Sequence, residues 1–517
     1  MEKSAISRFF SENKHHLLIS SLTFLLIYLS TFNRAYGYFI DEFYYIACAN
    51  NPAAGYVDHP PLAPLILTVV QFLFGSSIFV IRIIPALAES AGVFYTGVLV
   101  KEIGGGKFAQ VLAACAMAAS PVIIAFGGFY SMNAFEPLLG VLLMLYAVKM
   151  IKENNTKRWI VLGIIMGIGM MNKHTFGVFI IAIVLSLILA GKWKLILNKW
   201  FFIGGVIAFI IFTPNIIWQI INNYPSLEFY RNINADKNVY TPPVAFIMGQ
   251  VMSMSPSTAP IWIAGFLFLL FSKSVKDFKF LGILFIALFL FMLLSGVSRS
   301  DRLAFAYPAA FAGGAIFYDK LFSKHILRWA KVVLVIFIFS GLAISLPLIL
   351  PYFSYEAVEA RTVFIGYNTE LERGNKPLLP QLLADKIGWE DRFKFVYSAY
   401  QSLSDEDKKQ TIVAAGNYGQ AGALELYGKD YDFPPVVCDH NNYYFWSKSR
   451  LKGNVMLKLG HKNEYHGLTE RFTTVDVYPE EYKNKYVTGH ENNLRVFICR
   501  NPIISYSKML EQGKFFY

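Results

Sequence analysis

Long apolar runs dominate the chain from residue 17 to residue 351, and short polar segments separate them. A helix needs roughly 20 apolar residues to cross about 30 Å of hydrocarbon, and slightly fewer inside a helix bundle. The runs predict about eleven membrane-spanning helices: 17–33, 78–100, 108–126, 132–151, 158–172, 175–191, 200–221, 256–272, 278–297, 303–320 and 329–351. Residues 352–517 lack such runs and alternate strand-like with helix-like stretches, which predicts a separate, small α/β domain exposed to water.

Composition supports a polytopic α-helical membrane protein and excludes an ordinary soluble enzyme. Hydrophobic residues make up 55% of the 517 residues, charged residues make up 16%, and the mean hydropathy is +0.43. The net charge of +12 does not indicate nucleic-acid binding, because Lys and Arg collect in the cytoplasmic loops of membrane proteins. The domains predicted are therefore a transmembrane domain, 1–351, and the soluble domain, 352–517.

The Lys and Arg residues between the apolar runs predict the orientation. With the N-terminus in the cytoplasm, the inner segments carry eighteen of them and the outer segments carry six. This difference follows the positive-inside rule. An odd number of spans then places residues 352–517 on the extracytoplasmic face of the cell membrane.

The first outer segment, 34–77, holds an unusual set of polar residues. Asp41 and Glu42 follow the first span closely and stand among aromatic residues, which are typical of the membrane–water interface. A carboxylate pair at that depth has two interpretations, part of an active site or the charged end of a helix. Asp58 and His59 come next, followed by two prolines that end a helical segment.

Three further outer segments carry side chains that could take part in chemistry. These are Asn133 and Glu136, Lys173 and His174, and Arg299 and Arg302. Carboxylates, histidines and cations thus converge on one face of the membrane, which predicts a site there.

The sequence resembles the GT-C membrane glycosyltransferases, in particular the dolichyl-phosphate-mannose protein mannosyltransferase-like family and the bacterial lipid A aminoarabinose transferases. The Asp-Glu pair after the first span and the later His-Pro-Pro carry this resemblance. Further similar stretches are GYVDHPPLAPL, SMNAFEPL, NKH, GNYGQAGALELYG and PPVVCDHNNYYFW. The resemblance implies the GT-C fold, a sugar donor carried on a polyprenyl phosphate, and inverting transfer at the outer membrane face.

The resemblance also implies roles for the residues of the site. The aspartate of the family motif corresponds to Asp41, which we expect to be the base, while Glu42 orients the site or binds the acceptor. The departing phosphate needs positive charge nearby, for which the candidates are Arg299, Arg302 and Lys173. The candidates for positioning donor or acceptor are Asp58, His59, Asn133, Glu136 and His174.

Two departures from the family leave alternatives open. The aminoarabinose transferases carry Lys-Pro-Pro where this chain has His59-Pro-Pro. Relatives also carry an aspartate in the region where this chain has Asn133 and Glu136. His59 with Asp58 has two interpretations, a hydrogen-bonded histidine or a ligand of a divalent metal ion. No cofactor is required by the expected chemistry, and the acceptor stays open between a protein hydroxyl, lipid A and another glycan.

Other function classes fit the sequence less well. A secondary transporter should show an internal repeat and ionisable residues at mid-membrane, and the sequence shows neither. A lipid-linked oligosaccharide polymerase or ligase shares the outer-face chemistry but lacks the Asp-Glu and His-Pro-Pro arrangement. In the C-terminal domain, TIVAAG followed by NYGQAGALELYG predicts a strand, a turn and a helix, without the glycine pattern or lysine of a nucleotide loop. Cys438 and Cys499 are expected to be two buried thiols rather than a disulfide.

Overall fold

A computed structural model describes residues 11–233, 240–296, 299–323, 325–367, 369 and 376–517. Among these residues, six helices are long and apolar enough to cross a membrane: Lys14–Phe32, Ile78–Ile103, Met132–Lys152, Lys199–Ile221, Lys273–Ser295 and Ala330–Ile349. A seventh span is formed if the helices Lys107–Ala118 and Pro121–Gly127, bent by 64°, are taken together. The bend falls where Pro121 begins the second helix, since proline has no N–H to continue the first.

Shorter helices complete the membrane block. The other predicted spans coincide with Trp159–Asn172, Phe176–Leu189, Ala259–Phe271 and Tyr307–Leu321. The predicted helical positions are thus present, and the multi-pass character is confirmed. The total of eleven spans stays a prediction, because length and composition assign six or seven.

The first outer segment is more ordered than its sequence suggests. It contains the helix Ile40–Asn50, called the site helix below, and the apolar helix Leu62–Phe74. The site helix begins where a Glu42 carboxylate oxygen accepts a hydrogen bond of 2.7 Å from the backbone N–H of Phe39. Acidic residues in a first turn also suit the partial positive charge of a helix N-terminus. Two further helices without a predicted counterpart, Pro225–Asn232 and Pro243–Ser253, lie later in the block.

The C-terminal domain is built on a mixed five-stranded sheet. Its strands are β1 (Thr411–Ala414), β2 (Val436–Val437), β3 (Val455–Gly460), β4 (Phe472–Val477) and β5 (Arg495–Pro502), in the order β2-β1-β3-β5-β4. Strand β1 pairs in parallel with β2 and β3, and β5 pairs antiparallel with β3 and β4. The domain's helices are Tyr355–Phe364, Gln381–Ala384, Trp389–Gln401, Asp405–Lys409, Tyr418–Gly428, Tyr443–Ser447, Tyr465–Thr469 and Tyr506–Gly513.

The strand, turn and helix predicted from TIVAAG and NYGQAGALELYG are present as β1 and the helix Tyr418–Gly428, called the domain helix below. Strand β2 follows that helix and pairs in parallel with β1, as a crossover connection requires. Cys438 and Cys499 are both buried and unbridged, so the prediction of two buried thiols is confirmed.

Hydrogen bonds from backbone N–H groups join the first outer segment to the C-terminal domain. The N–H of Gly37 donates to the carbonyl oxygen of Lys386 at 2.7 Å, and the N–H of Val57 donates to Oδ1 of Asn442 at 2.7 Å. These contacts place the domain directly over the site helix.

Candidate active site

A cavity of about 1220 Å³ lies where the membrane helices meet the C-terminal domain. Mostly apolar walls come from the helices Pro121–Gly127, Pro243–Ser253 and Ala330–Ile349. Polar walls come from the site helix, from residues 299–301 and from the C-terminal domain. Pockets of this kind use apolar walls for affinity and a few polar groups for orientation. The cavity therefore suits an amphiphilic ligand.

Asp41 lies on the wall of this cavity. Its side chain is half-buried, and its Oδ1 accepts a hydrogen bond of 2.8 Å from the hydroxyl of Tyr418. The tyrosine belongs to the domain helix, so both domains contribute to the immediate surroundings of this carboxylate. Asp41 is placed where a base for a bound substrate could act.

Glu42, the next residue, faces away from the cavity into the protein. It is fully buried, and its carboxylate forms a two-pronged ion pair with Arg82, at 2.9 Å to Nε and 2.7 Å to a terminal nitrogen. The backbone N–H groups of Phe39 and Tyr130 also donate to it, at 2.7 and 2.8 Å. Of the two predicted roles, orienting the site fits this geometry, whereas direct acceptor binding does not, because the enclosed oxygens are already bonded.

Lys173 joins Asn133 and Glu136 in one network. Its ammonium donates to Oδ1 of Asn133 at 2.8 Å and to a Glu136 carboxylate oxygen at 2.7 Å. Asn133 lines the cavity. The lysine predicted to bind phosphate is therefore paired with a buried glutamate, and it contacts the cavity wall through Asn133.

Arg299 is the predicted phosphate-binding residue that lies on the cavity wall. Its guanidinium pairs with Asp301, which also lines the cavity, at 3.0 Å. Burial opposes ionisation of Asp301, but the positive charges of Arg299 and Lys173 outweigh it and hold the pKa of this carboxyl below its usual value. Arg302 is absent from the cavity wall as far as the described residues define it. Phosphate binding by these cations stays a prediction, with Arg299 best placed for it.

His59 is enclosed by aromatic rings. It is fully buried, its ring is stacked on Tyr45 with centroids 4.8 Å apart, and its Nδ1–H donates to the carbonyl oxygen of Pro60 at 2.9 Å. Its Nε2 lies 3.8 Å from Oδ1 of Asp58, and that oxygen accepts a hydrogen bond of 2.9 Å from Tyr44. These contacts favour the hydrogen-bonded histidine. Within the described ranges, no group of three or more His, Cys, Asp and Glu side chains is arranged to hold a metal ion.

Among the described residues, His174 is not part of the cavity wall, and it contacts other side chains of the membrane block instead. Its Nε2–H donates to Oδ1 of Asn215 at 2.9 Å, because the Asn215 amide nitrogen is used to donate to the carbonyl oxygen of Ala54. The hydroxyl of Tyr230 donates to its Nδ1 at 3.4 Å. Burial lowers the pKa of His174, which agrees with a neutral ring that donates once and accepts once. The predicted role in positioning substrate is not supported by a direct contact with the cavity.

Solved structures of similar shape identify the fold. The structure of ArnT from Cupriavidus metallidurans without ligand has a TM-score of 0.63 at 12% identity, covering 93% of this chain and 97% of that one. The same protein bound to undecaprenyl phosphate has a TM-score of 0.58 with the same identity and coverage. The oligosaccharyltransferase of Archaeoglobus fulgidus has a TM-score of 0.50 at 13% identity, covering 90% of this chain and 71% of that one.

The chain has the GT-C glycosyltransferase fold. The match extends over both the membrane block and the C-terminal domain, since it covers nearly the whole chain. The sequence itself matches the dolichyl-phosphate-mannose-protein mannosyltransferase family over residues 58–218, which confirms the predicted resemblance. No curated protein sequence gives a significant match.

Within this GT-C fold, three residues that were not predicted from the sequence surround the carboxylate pair. Arg82 lies in an apolar run that the sequence identifies only as a membrane span. Tyr418 follows the site helix by hundreds of residues in the chain. Lys386 is a buried lysine whose side-chain nitrogen donates to the carbonyl oxygen of Gly128 at 3.1 Å. Of these, only Arg82 carried a usable signal, because an arginine in an apolar run needs an acidic or carbonyl partner.

Proposed function

We propose that this protein transfers a sugar from a polyprenyl phosphate to an acceptor at the extracytoplasmic face of the membrane. The observation that carries the proposal is the shared cavity. Asp41 and Arg299 line it together, and apolar membrane helices form its remaining walls. A polyprenyl chain would lie against those helices, with the sugar phosphate between the two charged side chains. The binding of undecaprenyl phosphate by ArnT, which has the same fold, supports a donor of this class.

The chemistry is an inverting displacement. The acceptor oxygen attacks the anomeric carbon, the bond from that carbon to the phosphate oxygen breaks, and the acceptor proton passes to the Asp41 carboxylate. Polyprenyl phosphate leaves with the bonding electrons. Arg299 stabilises the phosphate charge, since a guanidinium carries five N–H donors and can contact phosphate while it stays paired with Asp301.

The orientation is part of the proposal. We propose that residues 352–517 are extracytoplasmic, because the Lys and Arg distribution favours it. An alkaline phosphatase fused after Tyr352 should be active, and a green fluorescent protein fused at the same place should be dark. The opposite pair of results would overturn the orientation.

The function is tested by comparing the glycolipids and glycoproteins of a strain lacking the protein with those of its parent, using mass spectrometry. We expect the deletion strain to lose a sugar from one class of molecule and to accumulate a polyprenyl-phosphate sugar. Wild-type protein should restore the modification, Asp41→Asn should not, and Asp432→Asn, an exposed aspartate of the C-terminal domain, serves as the matched control. Loss of a whole oligosaccharide would indicate a polymerase or ligase instead, and an unchanged profile would contradict the proposal.

A further inference from the structure

A tyrosine of the C-terminal domain reaches the carboxylate that we propose as the base. The Tyr418 hydroxyl donates to Oδ1 of Asp41 over 2.8 Å, although the two residues are 377 positions apart in the chain. Both side chains line the cavity. From this contact and the packing around it, we infer that Tyr418 is a positioning residue for Asp41, an inference that rests on the proposed function. The active site is then complete only when the C-terminal domain is docked.

Local structure fixes the backbone of Tyr418. Strand β1 ends at Ala414, and the tyrosine is the first residue of the domain helix. The Asn417 side chain caps that helix by accepting a hydrogen bond of 2.9 Å from the N–H of Gln420. A capped helix start next to a central strand leaves this residue little freedom.

Two glycines let the domain helix approach the site helix closely enough for the hydrogen bond. A Cβ atom added to Gly422 would lie 2.8 Å from the backbone oxygen of Phe43, and one added to Gly419 would collide with the side chain of Ile40. Any larger residue at these positions would push the helices apart. The close contact between the helices therefore holds Tyr418 beside Asp41.

The ring of Tyr418 is held between two other rings. Its centroid lies 4.8 Å from that of Tyr44, on the site helix, and 4.6 Å from that of His440. His440 is in turn stacked on Phe515 at 4.2 Å, and its Nε2–H donates to the backbone oxygen of Tyr517 at 2.7 Å. This packing restricts the ring to one orientation, with its hydroxyl directed at Asp41.

The chemical consequence concerns the charge and direction of the carboxylate. A hydroxyl that donates to a carboxylate stabilises the ionised form and lowers its pKa. The ionised form is the one that can take a proton from an acceptor hydroxyl. The hydrogen bond also fixes the plane of the carboxylate relative to the cavity. Tyr418 thus acts through Asp41 and needs no contact with the substrates.

The test compares Tyr418→Phe with Tyr427→Phe, which removes one hydroxyl from the same helix away from Asp41. Membranes of a strain lacking the protein supply donor and acceptor, purified variants are added, and mass spectrometry follows transfer across the acidic and neutral pH range. We expect Tyr418→Phe to lower kcat without changing the donor KM. The acidic limb of its pH profile should move to higher pH by about one to two units, because Asp41 loses a charge-assisted hydrogen bond. Tyr427→Phe should follow the wild type.

The inference and the proposed function fail in different ways. If Tyr418→Phe matches Tyr427→Phe in kcat and in its acidic limb, the positioning role is overturned. If Asp41→Asn turns over at the wild-type rate, the proposed base itself is overturned. Binding of undecaprenyl phosphate to each purified variant checks that the cavity is intact.

A second replacement keeps the test decisive if Tyr418→Phe does not fold. Replacement of Tyr418 by difluorotyrosine retains the ring and the hydroxyl but makes that hydroxyl a stronger donor. The acidic limb should then move to lower pH, and an unmoved limb would overturn the inference.

Discussion

The two faces of the site helix give adjacent carboxylates different environments. On one face, Asp41 is half-buried on the wall of a large cavity beside Tyr418. On the other, Glu42 is fully buried and paired with Arg82. Adjacent residues of an α-helix point about 100° apart, so one side chain can face a ligand while the next anchors the helix.

Two carboxylates that are adjacent in the sequence can therefore have separate roles. A buried ion pair is costly to desolvate, and it survives here because backbone N–H groups satisfy the remaining lone pairs of Glu42. The face of the site helix that carries Glu42, called the anchored face, holds the helix in place. The face that carries Asp41, called the cavity face, can then keep this residue in a fixed position. We therefore expect changes on the two faces to affect stability and turnover separately.

The largest expected effect comes from breaking the buried pair. Arg82→Leu leaves the charge of Glu42 buried without its cation, which should destabilise the protein by about 3–5 kcal/mol. The thermal midpoint in detergent measures this effect. Adding Glu42→Gln should recover part of the loss, because the unpaired charge is then removed.

A matched control lies on the same long helix. Lys101 forms an exposed pair with Glu12, and such pairs contribute about 0–1 kcal/mol, so Lys101→Leu should change the midpoint little. Equal losses in Lys101→Leu and Arg82→Leu would contradict the separation of the two faces.

In the cavity that Asp41 faces, Arg299→Ala should weaken use of the donor. A lost hydrogen bond to a charged group corresponds to a rise in donor KM of about 10- to 100-fold. Arg302→Ala should give a smaller rise, since this residue does not line the cavity among the described positions. Donor kinetics of both variants measure the contrast, and an unchanged donor KM in the double variant would remove the two arginines from the site.

The smallest effect is a pH dependence of stability that arises from Lys386, which lies near the buried pair of Glu42 and Arg82. Burial and the charge of Arg82 lower the pKa of Lys386 to about 7, with Glu42 partly opposing them. An unfolded lysine keeps its proton to about pH 10.4, so between these values the unfolded state binds more protons and stability rises with pH. The slope is at most about 1.4 kcal/mol per pH unit.

Thermal midpoints measured from about pH 7 to about pH 9 test this dependence. The wild-type midpoint should rise more steeply than that of Lys386→Met. Lys394→Met removes an exposed lysine and should keep the wild-type slope. A Lys386→Met slope equal to that of the wild type would rule out Lys386 as the cause.

The sequence predicted the membrane helices well, because continuous apolar runs have few alternatives in a bilayer. It also predicted that Asp41 and Arg299 belong to one site, and both line the cavity, while their location on the outer face stays a prediction. The separation of Asp41 from Glu42 was not predictable, since Arg82 signals an acidic partner without showing which carboxylate it is, and the hydrogen bond from the Tyr130 backbone has no sequence signal. Contacts made by Tyr418 join distant parts of the chain, and no local pattern marks them.

The central claim is that Asp41 performs the chemistry while Glu42 holds the fold. The most direct test measures turnover and thermal midpoint on the same preparations of Asp41→Asn and Glu42→Gln. We predict that Asp41→Asn keeps the wild-type midpoint and loses about 10²–10⁴-fold in turnover, with a smaller loss if the acceptor is a phosphate that needs no base. Glu42→Gln should lower the midpoint. Asp41→Asn at the wild-type rate, or a loss of turnover in Glu42→Gln alone at an unchanged midpoint, would contradict the claim.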